Sequence, residues 1–134
     1  MTVRARNRVF VAGMVVAIAA GAISLLPMIA STGAEDVRTI DVVVRDMSFH
    51  VDGRGEANPE ITFKAGERVR LRVRNEDAGM RHDFTIKAWN VATKMLEDRG
   101  EEDVIEFRVP AERGTRTYTC TPHPKMMTGS IRVE

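Results

Sequence analysis

The sequence is poor in cysteine and histidine, which excludes several kinds of site. Its 134 residues include one cysteine, Cys120, and three histidines. A single cysteine cannot form an internal disulfide, a Cys₂His₂ zinc site or a metal centre bridged by two cysteines. If this chain is exported, as its N-terminus suggests, a lone thiol is exposed to oxidation unless it is buried or bound to a metal. Cys120 is therefore a candidate metal ligand.

The sequence also lacks acidic residues before Glu35 and a basic surplus after it. Arg4, Arg6 and Arg8 precede the first acid. Subtracting these three from the 20 basic residues leaves 17 against 19 acidic residues, a formal charge of −2. Nucleic-acid binding requires a concentrated positive surplus, so it is not expected here.

An apolar run of 22 residues, Val9 to Ala30, follows the three arginines. A helix of about 20 apolar residues spans a bilayer, and flanking basic residues hold the N-terminus inside. We interpret residues 1–36 as a transmembrane anchor or signal helix with a short linker. Cleavage after Ala30 or Ala34 is the alternative, giving a secreted protein. Either way, residues 37–134 form a domain outside the membrane, periplasmic or extracellular.

Residues 37–134 consist of short β-rich runs separated by turn residues. In the run Glu67 to Asn75, three apolar residues alternate with four arginines, as in a half-buried strand. Poor alternation over 88–98 leaves room for a short helix. We predict an all-β, Greek-key β-sandwich of seven to eight strands. Its predicted strands are Val37–Val44, Met47–Val51, Ile61–Phe63, Glu67–Asn75, Asp83–Lys87, Val104–Val109, Thr115–Cys120 and Ser130–Val133.

Three kinds of metal ligand lie in one short segment: Cys120, His123 and the pair Met126 and Met127. A further histidine, His82, lies upstream at the start of a predicted strand. Two imidazoles, one thiolate and a weak thioether are the donor set of a type 1 copper site. Zinc is disfavoured because methionine binds it poorly, and a Cys–His nucleophile pair fits a Pro-flanked loop badly. With His50 on the predicted solvent face, no histidines remain for a second copper site, so we do not expect an enzyme.

These segments also resemble a known family. The run Cys120-Thr-Pro-His123-Pro resembles the copper loop of amicyanin and, less closely, plastocyanin. The run from Asn75 to Phe84 is similar to the first-histidine segment of cupredoxins. The resemblance implies one type 1 copper bound by His82, Cys120, His123 and Met127, and single-electron transfer by the Cu(II)/Cu(I) couple. A copper-binding or copper-delivery protein is the alternative.

The axial methionine is chosen by counting from the last strand. Counting forward from His123 with amicyanin-like spacing selects Met126, whereas counting back from the last strand selects Met127. The run from Met127 to Ile131 resembles the end of many cupredoxin copper loops. We interpret Gly129 as permitting the turn into that strand, and choose Met127.

Two residues depart from the family pattern. Asp83 stands where asparagine is common, and an ionised carboxylate can only accept hydrogen bonds. The usual side-chain link between the two ligand loops is therefore questioned. Pro122 lacks an N–H that could bond the Cys120 sulfur. Fewer donors to the thiolate favour Cu(II), so we expect a reduction potential in the lower part of the family range.

The expected partners are redox proteins and, through the N-terminal helix, a membrane. The exposed edge of His123 is the implied site of electron exchange. The face formed by Arg68, Arg70, Arg72 and Arg74 is a second candidate, which would dock an acidic partner. Its ordinary interpretation is a solvated strand face neutralised by acids on neighbouring strands, and this is the interpretation we favour.

Overall fold

The computed structural model describes residues 36–134, and the predicted N-terminal helix lies outside them. Nine strands form two sheets. The first sheet has the order β2-β1-β4-β7 and the second the order β3-β9-β8-β5-β6. The strands are β1 (Val37–Arg45), β2 (Ser48–Val51), β3 (Ile61–Phe63), β4 (Arg68–Asn75), β5 (Thr85–Ile86), β6 (Val91–Ala92), β7 (Glu102–Arg108), β8 (Gly114–Thr119) and β9 (Thr128–Val133).

Each of the two sheets contains both parallel and antiparallel strand pairs, because the chain crosses repeatedly between the two layers. Strands β1 and β4 pair in parallel, as do β3 and β9, and the remaining pairs are antiparallel. The inward side chains of both sheets form one apolar core. The predicted all-β sandwich is thus confirmed. The predicted seven to eight strands were too few by β6 alone, which lies in the stretch where a short helix was expected and whose two residues are too few to show alternation.

The arginine-rich strand β4 has the predicted alternation. Val69, Leu71 and Val73 are buried, and the arginines between them are exposed. Because side chains on a strand project alternately to opposite faces, these arginines lie on the outer face of the first sheet.

Some boundaries differ from the prediction for local reasons. Met47 is not in a strand: Asp46 and Met47 form the two-residue β1–β2 turn, with φ of 51° and 57°. Positive φ at both positions is the pattern of a type I′ turn, which matches the twist of a hairpin. The short helix predicted within 88–98 is a single 3₁₀ turn at Lys87–Trp89. His50, placed on the solvent side, is half-buried.

Across residues 36–134, no helix is long and apolar enough to cross a membrane. The membrane segment predicted at Val9–Ala30 precedes this range.

Candidate metal site

His82 is held by two backbone hydrogen bonds, both to Leu96. Its N–H donates to the carbonyl of Leu96 at 2.9 Å, and its carbonyl accepts from the N–H of Leu96 at 2.8 Å. The loop before it is shaped by buried Asn75, whose side-chain amide donates to the Met80 carbonyl at 2.7 Å and whose side-chain oxygen accepts from the N–H of Asp77 at 2.9 Å. Such a loop presents the imidazole in one position.

The second loop connects β8 to β9 and contains the other candidate ligands. The Cys120 N–H donates to the Met127 carbonyl at 3.0 Å, and the Met127 N–H donates to the His123 carbonyl at 3.0 Å. The Thr128 hydroxyl donates to the Pro124 carbonyl at 2.7 Å. The loop is therefore closed on itself by its own hydrogen bonds, independently of a metal.

The two loops bring His82, Cys120 and His123 together. Nδ1 of each histidine lies 3.6 Å from Cys120 Sγ, and the three ligand atoms lie within 4.8 Å of one another. His82 and Cys120 are fully buried, whereas His123 is half-buried. This grouping of two imidazoles and one thiol was predicted from the sequence.

The spacing suits a single metal ion. With metal–nitrogen and metal–sulfur bonds of roughly 2.0 and 2.3 Å, the lengths at zinc, a 120° angle places nitrogen and sulfur about 3.7 Å apart. The observed separation is 3.6 Å in both cases. A thiolate and two imidazoles are also the donors that copper prefers. The residues therefore fit a copper ion in chemistry and in geometry.

The two neighbouring methionines lie in very different environments. Met127 is fully buried, and Met126 is 60% exposed. The backbone of Met126 is held by two hydrogen bonds: its carbonyl accepts from the Asn58 side-chain amide at 3.0 Å and its N–H donates to the His123 carbonyl at 3.1 Å. Burial makes Met127 the methionine that shares the interior with Cys120. Its role as the axial ligand stays a prediction.

Burial sets the protonation of the metal-free site. Burial lowers the pKa of His82, opposed by the nearby Asp77 carboxylate, so the ring is neutral at pH 7. Burial also raises the pKa of the Cys120 thiol, opposed by the backbone N–H of Asp83. Because a thiolate is the form that binds metal, copper binding must release the thiol proton.

Asp83 links the two ligand loops, despite being an acceptor only. Its Oδ1 accepts the backbone N–H of Thr121 at 2.6 Å, and its Oδ2 accepts the Thr85 hydroxyl at 3.3 Å. The link exists because the opposite loop supplies the donor. The carboxylate also brings negative charge to the thiol and raises the pKa of Cys120.

Gly129 has a different role from the predicted one. It lies within β9, opposite Tyr118 of β8, rather than at a turn before the strand. A Cβ on Gly129 would lie 2.2 Å from the Tyr118 ring. The glycine is needed because the ring covers it, and the ring in turn fixes the strand pair next to Cys120.

The four arginines of β4 are matched by acids on the same surface. Arg70 and Arg68 contact Glu106, Arg72 contacts Asp41 at 2.7 Å, and Arg74 contacts Glu76. This agrees with the favoured interpretation of a solvated and neutralised face.

Two supporting residues gave no recognisable signal in the sequence. Asn58 accepts the N–H of Phe49 at 3.0 Å and donates to the Met126 carbonyl, so it joins β2 to the ligand loop. Asp77 lies beside the outer nitrogen of His82. Both lie in loops whose shape depends on contacts distant in sequence. A count of donors and acceptors along the chain cannot identify them.

The sandwich and the His–Cys–His cluster together define a copper-binding β-sandwich protein. Residues 38–134 match the plastocyanin/azurin family of copper-binding proteins. The chain therefore belongs to that family, which consists of electron carriers rather than enzymes, and copper is its cofactor.

Solved structures share the fold. Auracyanin from Roseiflexus castenholzii has a TM-score of 0.57 at 22% identity, over 72% of this chain and 96% of its own. Auracyanin A from Chloroflexus aurantiacus, a blue copper protein, has a TM-score of 0.58 at 20% identity, over 74% of this chain and 100% of its own. A chain in the structure of a haem-copper terminal oxidase dimer has a TM-score of 0.58 at 18% identity, over 78% of this chain and 68% of its own. No match was found among curated protein sequences.

Proposed function

We propose that this protein is an exported or membrane-anchored carrier of single electrons. One copper would be held by His82, Cys120 and His123, with Met127 as a weaker fourth ligand. The observation that supports this most directly is the convergence of both Nδ1 atoms on the buried Cys120 sulfur at 3.6 Å. When bound, copper supplies the one-electron couple. The protein supplies a donor set whose loop is closed by its own hydrogen bonds, so we expect the ligands to move little when the copper changes oxidation state.

His123 is the proposed site of electron exchange with a redox partner. It is half-buried and lines a surface groove with Pro122, Pro124, Lys125 and Met126. Apolar groups and one exposed lysine fit a partner that presents an apolar surface with an acidic side chain at its edge. The β4 arginines are a weaker candidate because their charges are already matched within the sheet.

The N-terminal segment is proposed to hold this domain at the outer side of a membrane. The support is the 22-residue apolar run preceded by three arginines. Full-length protein should sediment with membranes and resist extraction by high salt, because salt screens charge but does not reverse apolar burial. Residues 37–134 should be soluble. A mature protein beginning at Ser31 or Glu35 would instead show that the segment is a cleaved signal.

The decisive test is to add Cu(II) to the purified domain of residues 37–134 and record absorption and paramagnetic resonance spectra. An intense blue thiolate band with narrow copper hyperfine splitting is expected. A reversible one-electron wave should accompany it, since carriage requires both states to stay bound. A colourless complex would contradict the proposed site.

Copper delivery is the second candidate function, and exposed methionines favour it. Met126 is 60% and Met80 38% exposed, and both lie in the loops that contain the histidines. A delivery protein should release Cu(I) to a competing chelator within seconds, whereas a carrier should retain it through repeated redox cycles. Leucine at both positions should slow release only if these thioethers take part.

A further inference from the structure

The buried His82 ring has a second nitrogen that faces away from Cys120. While Nδ1 lies 3.6 Å from the sulfur, Nε2 is buried and has no aligned hydrogen-bond partner. Asp77 Oδ2 lies 3.2 Å from it, close enough for an electrostatic contact although it is out of line with the ring N–H. His82 is fully buried and the Asp77 side chain is 16% exposed, so water screens this contact weakly.

Asp77 is itself fixed by the β1–β2 turn. Its Oδ1 accepts the N–H of Asp46 at 2.8 Å, and its Oδ2 accepts the N–H of Met47 at 3.1 Å. These two turn residues have positive φ, so their N–H groups point together toward one acceptor. The carboxylate thus connects a tight turn on one side to the imidazole on the other.

A neutral imidazole that binds a metal through Nδ1 must hold its proton on Nε2. That N–H would be buried, and a buried donor without an acceptor loses its hydrogen bond to water without replacement. A carboxylate at this position supplies the acceptor, fixes the tautomer and makes the ring a stronger donor to the metal. We propose that Asp77 is a positioning residue that selects the Nε2–H tautomer of His82 and strengthens its bond to Cu(II). This inference rests on the proposed function.

The main test compares Asp77→Asn with Asp98→Asn. Asp98 is the matched control because it shapes the same loop through the N–H groups of Gly79 and Arg99, which it accepts at 2.8 and 2.7 Å. Asp77→Asn should weaken Cu(II) binding by roughly 10–100-fold, measured against a competing chelator. If the substitution weakens Cu(II) binding by a factor ten times larger than its effect on Cu(I) binding, the midpoint potential rises by about 59 mV. Asp98→Asn should leave both quantities at their parent values.

A second background separates the histidine contact from the turn. The pair of substitutions Asp46→Asn and Met47→Gly gives the sequence that type I′ turns favour, so the turn forms without help from Asp77. Asp77→Asn in this background should still weaken Cu(II) binding and raise the potential. If the shift disappears there, Asp77 acts only through the turn and the proposal is wrong.

The tautomer can also be measured without copper, by ¹⁵N NMR of the metal-free protein. We expect His82 to be protonated at Nε2 in the parent and to lose this preference in Asp77→Asn. An unchanged tautomer would overturn the proposal. If the parent protein forms no blue complex but the tautomer shifts as expected, the proposed function fails while the role of Asp77 at His82 stands.

Discussion

Gly129→Ala is the substitution whose effect the structure specifies most closely. The new Cβ would lie 2.2 Å from both Cζ and Oη of Tyr118, far inside contact distance. Tyr118 is fully buried, its ring stacks on Phe84 with centroids 4.9 Å apart, and its hydroxyl donates to the Pro59 carbonyl at 2.7 Å. The ring therefore cannot move aside without losing these contacts.

The cost has two parts. Overpacking in a filled core costs about 1–3 kcal/mol. Displacing the hydroxyl from Pro59 leaves buried polar groups unpaired, at about another 1–3 kcal/mol. The sum, roughly 2–6 kcal/mol, is a large fraction of the 5–15 kcal/mol typical of a folded domain. Gly129→Ala should thus be severely destabilised or unfolded.

Urea unfolding of metal-free residues 37–134 measures this cost. Gly55→Ala is the matched control, because a Cβ there meets nothing within 4 Å and the backbone needs no positive φ. It should change stability by less than about 0.5 kcal/mol. A double-mutant cycle with Tyr118→Ala should show that the two losses are strongly non-additive. A Gly129→Ala protein within 1 kcal/mol of its parent, or losses that simply add, would refute the reasoning.

The remaining predictions concern the metal site. Cys120→Ser should abolish the blue band and keep the β-sheet circular dichroism, and a variant that stays blue would contradict the ligand assignment. Met127→Leu should stay blue and raise the reduction potential, because a sulfur donor that favours Cu(II) is lost. Met126→Leu should change the potential little. If Met126→Leu gives the larger shift instead, Met126 is the axial ligand. Asp83→Asn should raise the potential, since it keeps an acceptor for the Thr121 N–H and removes a negative charge beside the thiolate; an unchanged voltammogram would show that the charge is screened. The metal-free protein should lose stability as pH falls below about 6.5, because the pKa of His82 is lowered in the folded state and the unfolded chain binds the proton first. Urea unfolding at pH 8 and 5 checks this, and His82→Gln should show a smaller loss over that range.

The sequence alone determined the features that depend on local pattern. The alternation in β4 established a half-buried strand because side chains on a strand project to opposite faces with a period of two. The spacing of Cys120 and His123 placed two donors in one loop. The type and number of donors were enough to prefer copper over zinc, because that preference depends on ligand chemistry rather than on coordinates.

The tertiary structure decided what depends on contacts between distant segments. The link from Asp83 to Thr121, the position of Asp77 beside His82 and the cover of Gly129 by Tyr118 each join residues on different loops or strands. A single sequence gives the donors and acceptors but not their pairing, since pairing is fixed only when both sheets close on the core. For the same reason Gly129 was misinterpreted as a turn residue: a glycine required by a neighbouring ring cannot be distinguished in sequence from one required by backbone conformation.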